Sequence, residues 1–161
     1  MFGKLSSLFS RKKEKTPPSP PAPEPNEPPV ADIEPEEISR RILLAEDNKI
    51  NSKVAARQLK KLGYEVDAAM NGQEAVEAMQ HTKYGLVLMD CQMPVMDGFE
   101  ATRTIRRMEK VRSLRRIPIV AMTANFSEQD RERCTQAGMD DFITKPVKIN
   151  MLGELLEKWM G

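Results

Sequence analysis

The sequence predicts an α/β protein: a doubly wound sheet of five parallel strands with five helices, preceded by an N-terminal extension that does not fold. Three observations carry this. From Arg40 onward, short apolar runs alternate with helical periods, which is the pattern of successive βαβ units. Most of the runs lack strict polar alternation, as expected of strands covered on both faces. Nine of the twelve prolines crowd between Pro17 and Pro35, in a stretch of Pro, Glu, Ala, Ser and Asn with almost nothing to bury.

Each element rests on its own residues. The strands are expected at Ile42 to Ala45, Tyr64 to Ala69, Gly85 to Met89, Ile117 to Met122 and Asp141 to Thr144. Helix 1 places Ala55, Leu59 and Leu62 on one face; helix 2 does so with Ala75, Val76 and Met79, and helix 3 with Phe99, Thr102, Ile105 and Met108. Helix 4, from Ser127 to Gln136, opens on a capping serine with Asp130 three residues on, but it has little apolar content and so a wide exposed face. Leu152, Leu155, Leu156 and Trp159 mark helix 5. At this length the alternation fits the flavodoxin-like strand order 2-1-3-4-5.

The 161 residues hold one ordinary domain, with about a quarter of the chain left over. Residues 1–15 read as a short basic amphipathic segment, 16–38 as a disordered Pro/Glu-rich linker and 39–161 as the folded domain. In polyproline II form residues 17–37 of the linker would reach roughly 65 Å, at about 3.1 Å per residue. Lys+Arg 25 against Asp+Glu 24 excludes a nucleic-acid binder with an overall basic excess. Two cysteines without a CxxC spacing give neither a disulfide framework nor a zinc site, and fit a reducing cytosol. No eighteen apolar residues run together and no signal-peptide core opens the chain, so a cytoplasmic protein is expected.

In this topology the carboxyl ends of all strands point to one edge, where ligands bind. Glu46 and Asp47 follow strand 1, Asp90 ends strand 3, Thr123 ends strand 4 and Lys145 follows strand 5. Read singly, each has a bland alternative: Asp47 as a helix N-cap, Lys145 as a solvated cation, Thr123 as an ordinary strand-end hydroxyl. Together, three carboxylates, a hydroxyl and an ammonium converge from distant parts of the chain. Crowded carboxylates either raise a pKa or hold a hard divalent cation, and magnesium with a phosphoryl group satisfies both signs.

Four segments carry more than chemistry: Ile42-Leu43-Leu44-Ala45-Glu46-Asp47-Asn48, Leu88-Met89-Asp90-Cys91-Gln92-Met93-Pro94-Val95-Met96-Asp97-Gly98, Ile117-Pro118-Ile119-Val120-Ala121-Met122-Thr123-Ala124 and Asp141-Phe142-Ile143-Thr144-Lys145-Pro146. They closely resemble response regulator receiver domains over about residues 40 to 160, and most of all the receivers attached to hybrid histidine kinases. The resemblance implies that Asp90 accepts a phosphoryl group from a phosphohistidine as an aspartyl phosphate. It implies Mg²⁺ held by Asp47, Asp90 and the Gln92 carbonyl, with Glu46 reaching it through water. Lys145 would pair with the phosphoryl oxygens, Thr123 would hydrogen-bond one of them, and Phe142 would rotate inward behind it. Gln92 and Asn125 take the positions that tune phosphoryl lifetime, against a plain reading as polar loop residues. A cis Lys145-Pro146 bond is a further expectation of the family.

Rival readings fail on particular residues. The acidic loop Glu46-Asp47-Asn48-Lys49 is unlike the Thr/Ser/Gly nest that a flavin phosphate needs. A haloacid-type phosphatase requires Asp-x-Asp after strand 1, where this chain has Glu-Asp. Cys91 reads as a small core residue rather than a redox sensor, and His81 as a surface residue. The chain is therefore expected to be a signalling switch rather than an enzyme, at most dephosphorylating itself slowly.

With no output module expected after helix 5, signals would pass by protein contact, to a histidine kinase or histidine-containing phosphotransfer protein and to an unknown downstream partner. Ile50 and Val54 sit off the core face of helix 1, and with Asn51 and Gln58 would form a docking patch beside Asp90. The seven bases from Arg103 to Arg116, set against Glu109, read as a solvated helix and loop, and no nucleic acid is expected as partner. At the N-terminus, Met1, Phe2, Leu5, Leu8 and Phe9 share an arc of about 120° before Arg11-Lys12-Lys13. Three readings stand there: a peripheral contact with the inner face of an anionic membrane, a peptide that docks in a partner groove, or a segment without function.

Overall fold

The computed structural model describes residues 40–161; the segments 1–15 and 16–38 distinguished above lie outside the described residues. Strands β1 (Arg41–Ala45), β2 (Glu65–Ala69), β3 (Leu86–Asp90), β4 (Ile119–Thr123) and β5 (Asp141–Thr144) alternate with helices α1 (Lys49–Lys61), α2 (Gly72–His81), α3 (Gly98–Val111), α4 (Glu128–Ala137) and α5 (Ile149–Met160). All pairings are parallel and the order is β2-β1-β3-β4-β5, as the sequence predicts. The bounds of β5 agree with expectation and those of the other strands differ by one or two residues, because the hydrogen-bonded ladder, and not the apolar run, sets where pairing starts and stops.

Two apolar layers sandwich the sheet. Ile42, Leu44, Leu88 and Val120 face α1 and α5 through Ala55, Leu59, Leu152 and Leu156. Leu43, Val87, Met89 and Ile119 face α2, α3 and α4 through Val76, Phe99, Ile105 and Ala137. The three inner strands are therefore buried along nearly their whole length, in keeping with their continuous apolar text. Strand β2 departs from that reading: it is an edge strand, exposed at Glu65 and Ala68 and fully buried only at Ala69.

Local chemistry sets the helix starts. Asn48, Asn71, Asp97 and Ser127 cap α1 to α4, and Ser127 with Asp130 completes the reciprocal capping box. Gly138 ends α4 at φ 104°, a left-handed cap that glycine adopts without strain. Gly98, the first residue of α3, donates its N–H to the Cys91 carbonyl at 3.0 Å. A Cβ there would stand 2.1 Å from the Asp90 carbonyl oxygen, so the helix docks on the end of β3 more closely than any side chain permits.

At the opposite edge a buried ionic knot joins α3 to two connections, α3–β4 and α4–β5. Arg106 contacts Glu109 at 2.9 Å and Asp140 at 2.7 Å, and donates to the carbonyls of Ile117 and Gly138. Glu109 and Asp140 in turn accept the backbone N–H groups of Ile117 and Ile119, both at 2.9 Å. The expectation of a wholly solvated basic surface on α3 is corrected here, since the Arg106 side chain is only 13% exposed.

Candidate functional site

The carboxyl ends of β1, β3, β4 and β5 meet around a cleft of about 410 Å³. Glu46 is buried directly after β1, where its own N–H extends the ladder to the Ala69 carbonyl at 3.0 Å. Asp90, the last residue of β3, is 4% exposed. Asp47 is exposed. One carboxylate oxygen from each of these three residues lies within 4.8 Å of the others.

Asp47 is not the helix cap. Asn48 takes that role, its side-chain oxygen accepting the Asn51 N–H at 2.9 Å. The cap leaves the Asp47 carboxylate without a hydrogen bond or ion pair among the described residues, turned to solvent beside two buried acids. The bland reading of Asp47 is thereby removed.

Lys145 closes the cluster from β5. Its backbone N–H bonds the Thr123 carbonyl at 2.8 Å, and its ammonium spans Asp90 Oδ2 at 2.9 Å and Glu46 Oε2 at 3.0 Å. Burial alone would lower its pKa, but the hydrogen bonds and negative charges of Asp90 and Glu46 outweigh this and hold it above the ordinary lysine value. The following peptide, Lys145-Pro146, is cis. Asp90 Oδ1 accepts the Gln92 N–H at 3.2 Å, and Glu46 Oε1 accepts that of Asn48 at 3.1 Å.

Thr123 ends β4, buried, with its hydroxyl donating to the Asn125 carbonyl at 2.5 Å rather than into the cleft. Phe142, half-buried on β5, stacks flat on Phe126 with centroids 3.5 Å apart and an interplanar angle of 5°. The Arg131 guanidinium lies 5.2 Å and 5.4 Å from the two rings. Gln92 and Asn125 are exposed on the cleft rim. Cys91 is buried beside Cys134, and desolvation pushes both thiols up, with the other thiol adding to the rise at Cys91, as suits unreactive core residues.

On α1, Ile50 is 74% and Val54 45% exposed, and Asn51 is exposed beside them. Asn51 and Val54 line a groove of about 300 Å³ that runs to Lys145, Pro146 and Val147. Gln58 is half-buried one turn further on, its side-chain oxygen buried without a partner among the described residues. One cleft residue escapes sequence reasoning. Arg133 of α4 lies over the Phe99 ring at 4.2 Å and lines the cleft, but α4 carries too few apolar residues for periodicity to show which way it faces.

The fold and this cleft define a class: a doubly wound parallel sheet that presents three acids, a lysine and a threonine at the carboxyl edge, flanking the switch between β1 and β3. Residues 42–157 match the response regulator receiver domain family, and the chain belongs to it. Hybrid signal transduction histidine kinase B of Dictyostelium discoideum is 45% identical over 130 residues, covering 75% of this chain and 7% of that protein. Histidine kinase 5 of Arabidopsis thaliana is 42% identical over 154 residues, 81% of this chain and 17% of the relative. The chain thus spans a small part of the length of these relatives.

Among solved structures, the receiver domain of a sensor histidine kinase from Pseudomonas aeruginosa is 45% identical with a TM-score of 0.69, covering 76% of this chain and 98% of that one. That structure holds a magnesium ion coordinated in its active site cleft. The receiver domain of the Saccharomyces cerevisiae response regulator Ssk1, in co-crystal with the histidine phosphotransfer protein Ypd1, is 33% identical with a TM-score of 0.73, covering 76% and 89%. Family membership places the domain in two-component signalling, as a phosphoryl-accepting switch rather than a conventional enzyme.

Proposed function

We propose that the chain acts as a response regulator receiver whose Asp90 takes a phosphoryl group from a phosphohistidine donor. The observation that carries this reading is the cluster of Glu46, Asp47 and Asp90 with the Lys145 ammonium seated on two of the three. In the transfer, an Asp90 carboxylate oxygen bonds to phosphorus as the phosphorus–nitrogen bond to the donor imidazole breaks, and the electron pair of that bond stays on the imidazole.

The donor set fits Mg²⁺: hard carboxylate oxygens, with Asp47 uncommitted among the described residues. Asp47, Asp90 and the Gln92 carbonyl would hold the ion, with Glu46 acting through water. When bound, it supplies positive charge that offsets repulsion between an anionic nucleophile and an anionic phosphoryl group. Lys145 then turns from the Asp90 carboxylate to the phosphoryl oxygens. Thr123 exchanges its bond to the Asn125 carbonyl for one to a phosphoryl oxygen, and Phe142 leaves the Phe126 stack to fill the space behind it. Gln92 and Asn125 on the rim govern the access of hydrolytic water.

The exposed Ile50, Asn51 and Val54, with Gln58 behind them, form the surface on which a histidine kinase or phosphotransfer helix docks beside Asp90. The downstream partner reads the face around Phe142. Residues 1–15 serve as an anionic-membrane contact and 16–38 as the tether, so that a cytoplasmic switch is held at the inner face of the membrane. Incubation with Mg²⁺ and phosphoramidate tests the central claim: one base-labile phosphate is expected per chain. Uptake by Asp90→Asn at the wild-type rate would overturn the assignment.

A further inference from the structure

The fold divides the seven bases that lie between Arg103 and Arg116. Arg106 and Arg116 are bound to Asp140, each at 2.7 Å, and Arg106 also holds Glu109. Arg103, Arg107, Lys110, Arg112 and Arg115 are all exposed and form no ion pair among the described residues. Two aliphatic side chains project among them: Val111, the last residue of α3, is 84% exposed, and Leu114 is 46% exposed. Ser113, at φ 54°, turns the chain between the two. Single exposed aliphatics are ordinary on any protein surface. Two of them amid five cations that form no ion pair among the described residues make a patch.

Its place in the fold is specific. The connection from α3 to β4 runs along the amino edge of the sheet, opposite the edge that carries Asp90, Thr123 and Lys145. The first strand starts from that same amino edge at Arg41.

We propose that this patch is a contact surface for an anionic lipid bilayer. Val111 and Leu114 enter the headgroup boundary while Arg107, Lys110, Arg112 and Arg115 pair with lipid phosphates, for which the guanidinium fork is well suited. Two aliphatic side chains fall far short of the roughly 800 Å² per partner that a stable protein interface buries. Adsorption to a charged surface needs only a few inserted side chains together with cations near the headgroups. Nucleic acid is the weaker fit, since no aromatic side chain stands in the patch to stack a base. Held this way, the domain turns its acidic cleft away from the bilayer and leaves it open to a phosphodonor. The proposal depends neither on residues 1–15 nor on the role assigned to Asp90.

The test uses the full chain and co-sedimentation with phosphatidylserine/phosphatidylcholine vesicles. Leu5→Glu/Leu8→Glu serves as a background in which apolar insertion by residues 1–15 is removed. Adding Arg112→Gln/Arg115→Gln to that background should lower the partition coefficient roughly thirtyfold, and added salt should weaken binding of the parent. Both arginines are exposed, and an unchanged urea midpoint verifies the fold. As a second measurement, an environment-sensitive fluorophore on Val111→Cys should shift to the blue with anionic vesicles and not with pure phosphatidylcholine; Cys91 and Cys134 are buried, which makes the labelling selective. Unchanged partition after the arginine substitutions, or no shift of the fluorophore, would overturn the proposal. Binding of a single-stranded oligonucleotide with the same residue dependence, in the absence of vesicle binding, would overturn it in favour of nucleic acid. If Leu5→Glu/Leu8→Glu alone leaves vesicle binding unchanged, apolar insertion by residues 1–15 fails, while the patch is still judged by the arginine substitutions.

Discussion

Replacing Gly98 by alanine adds a single methyl group where α3 docks on β3, and the structure fixes what that methyl meets. It would lie 2.1 Å from the Asp90 carbonyl oxygen and 2.9 Å from Met89 Cγ. The Met89 side chain can yield, but the carbonyl is backbone in the middle of the sheet. To restore even a tight contact the first turn of α3 and the end of β3 must separate by roughly 1 Å, against the cost of overpacking, about 1 to 3 kcal/mol. That displacement falls on Asp90, whose carboxylate, under the proposed function, has to meet phosphorus in line. A 1 Å misplacement of a reacting group costs on the order of 10²-fold in rate. Gly98→Ala should therefore fold with a lowered urea midpoint, read from Trp159 fluorescence, and should take up phosphate from phosphoramidate on the order of a hundredfold more slowly. A chain with wild-type stability and wild-type phosphorylation would refute both the packing argument and the link from this contact to the site.

Three further outcomes can be checked separately. Arg106→Met strands Glu109, whose side chain is 9% exposed, and leaves Asp140 with Arg116 as its remaining ion-pair partner among the described residues; it should cost about 3 to 5 kcal/mol by urea unfolding, and a loss below about 1 kcal/mol would show the knot to be solvated. Asp47→Ala should abolish Mg²⁺ binding and phosphorylation with little change in stability, because its carboxylate supports nothing among the described residues; undiminished phosphorylation in EDTA would contradict it. Burial would raise the Asp141 pKa, but hydrogen bonds from Trp159 and Lys158 outweigh it and hold the carboxyl below its usual value. Its contribution is therefore full above the ordinary carboxylate range and is lost as pH falls through the depressed value, so the stability gap between wild type and Asp141→Asn should be constant near neutrality and should close in acid. A gap that widens on acidification would reverse the sign.

Much of the fold was legible because its signals are local. Ile42 to Ala45 and Asp141 to Thr144 announce strands by composition, and Ser127 with Asp130 announces a helix start within a single turn. The cleft was legible for a related reason: once the strands are ordered, the residues after them fall on one edge by topology alone. What stayed hidden depends on contacts between distant segments. Arg106 and Glu109 look like any other members of a charged helix, and only the approach of Asp140, some thirty residues on, converts them into a buried knot. Nothing near Phe126 in the sequence indicates that it stacks on Phe142. Whether Asp47 or Asn48 caps α1 is decided by one hydrogen bond, which the spacing permits equally for both.

The outermost strand bears on how the domain meets other proteins. An edge strand offers unpaired backbone groups, and a bare one invites another chain to extend the sheet. Here β2 is five residues long and carries Glu65 and Asp67, with Arg41 bridging to both and Tyr84 donating to Asp67 at 2.7 Å. Burial, and then the bond to Asp67, push the Tyr84 phenol up to about 12, so it remains a neutral donor at any physiological pH. A strand arriving at this border would have to displace or bury a crosslinked cluster of charges. The sheet thus resists growth on the β2 side, and a partner that recognises the domain from that direction must read helices and loops instead of adding a strand.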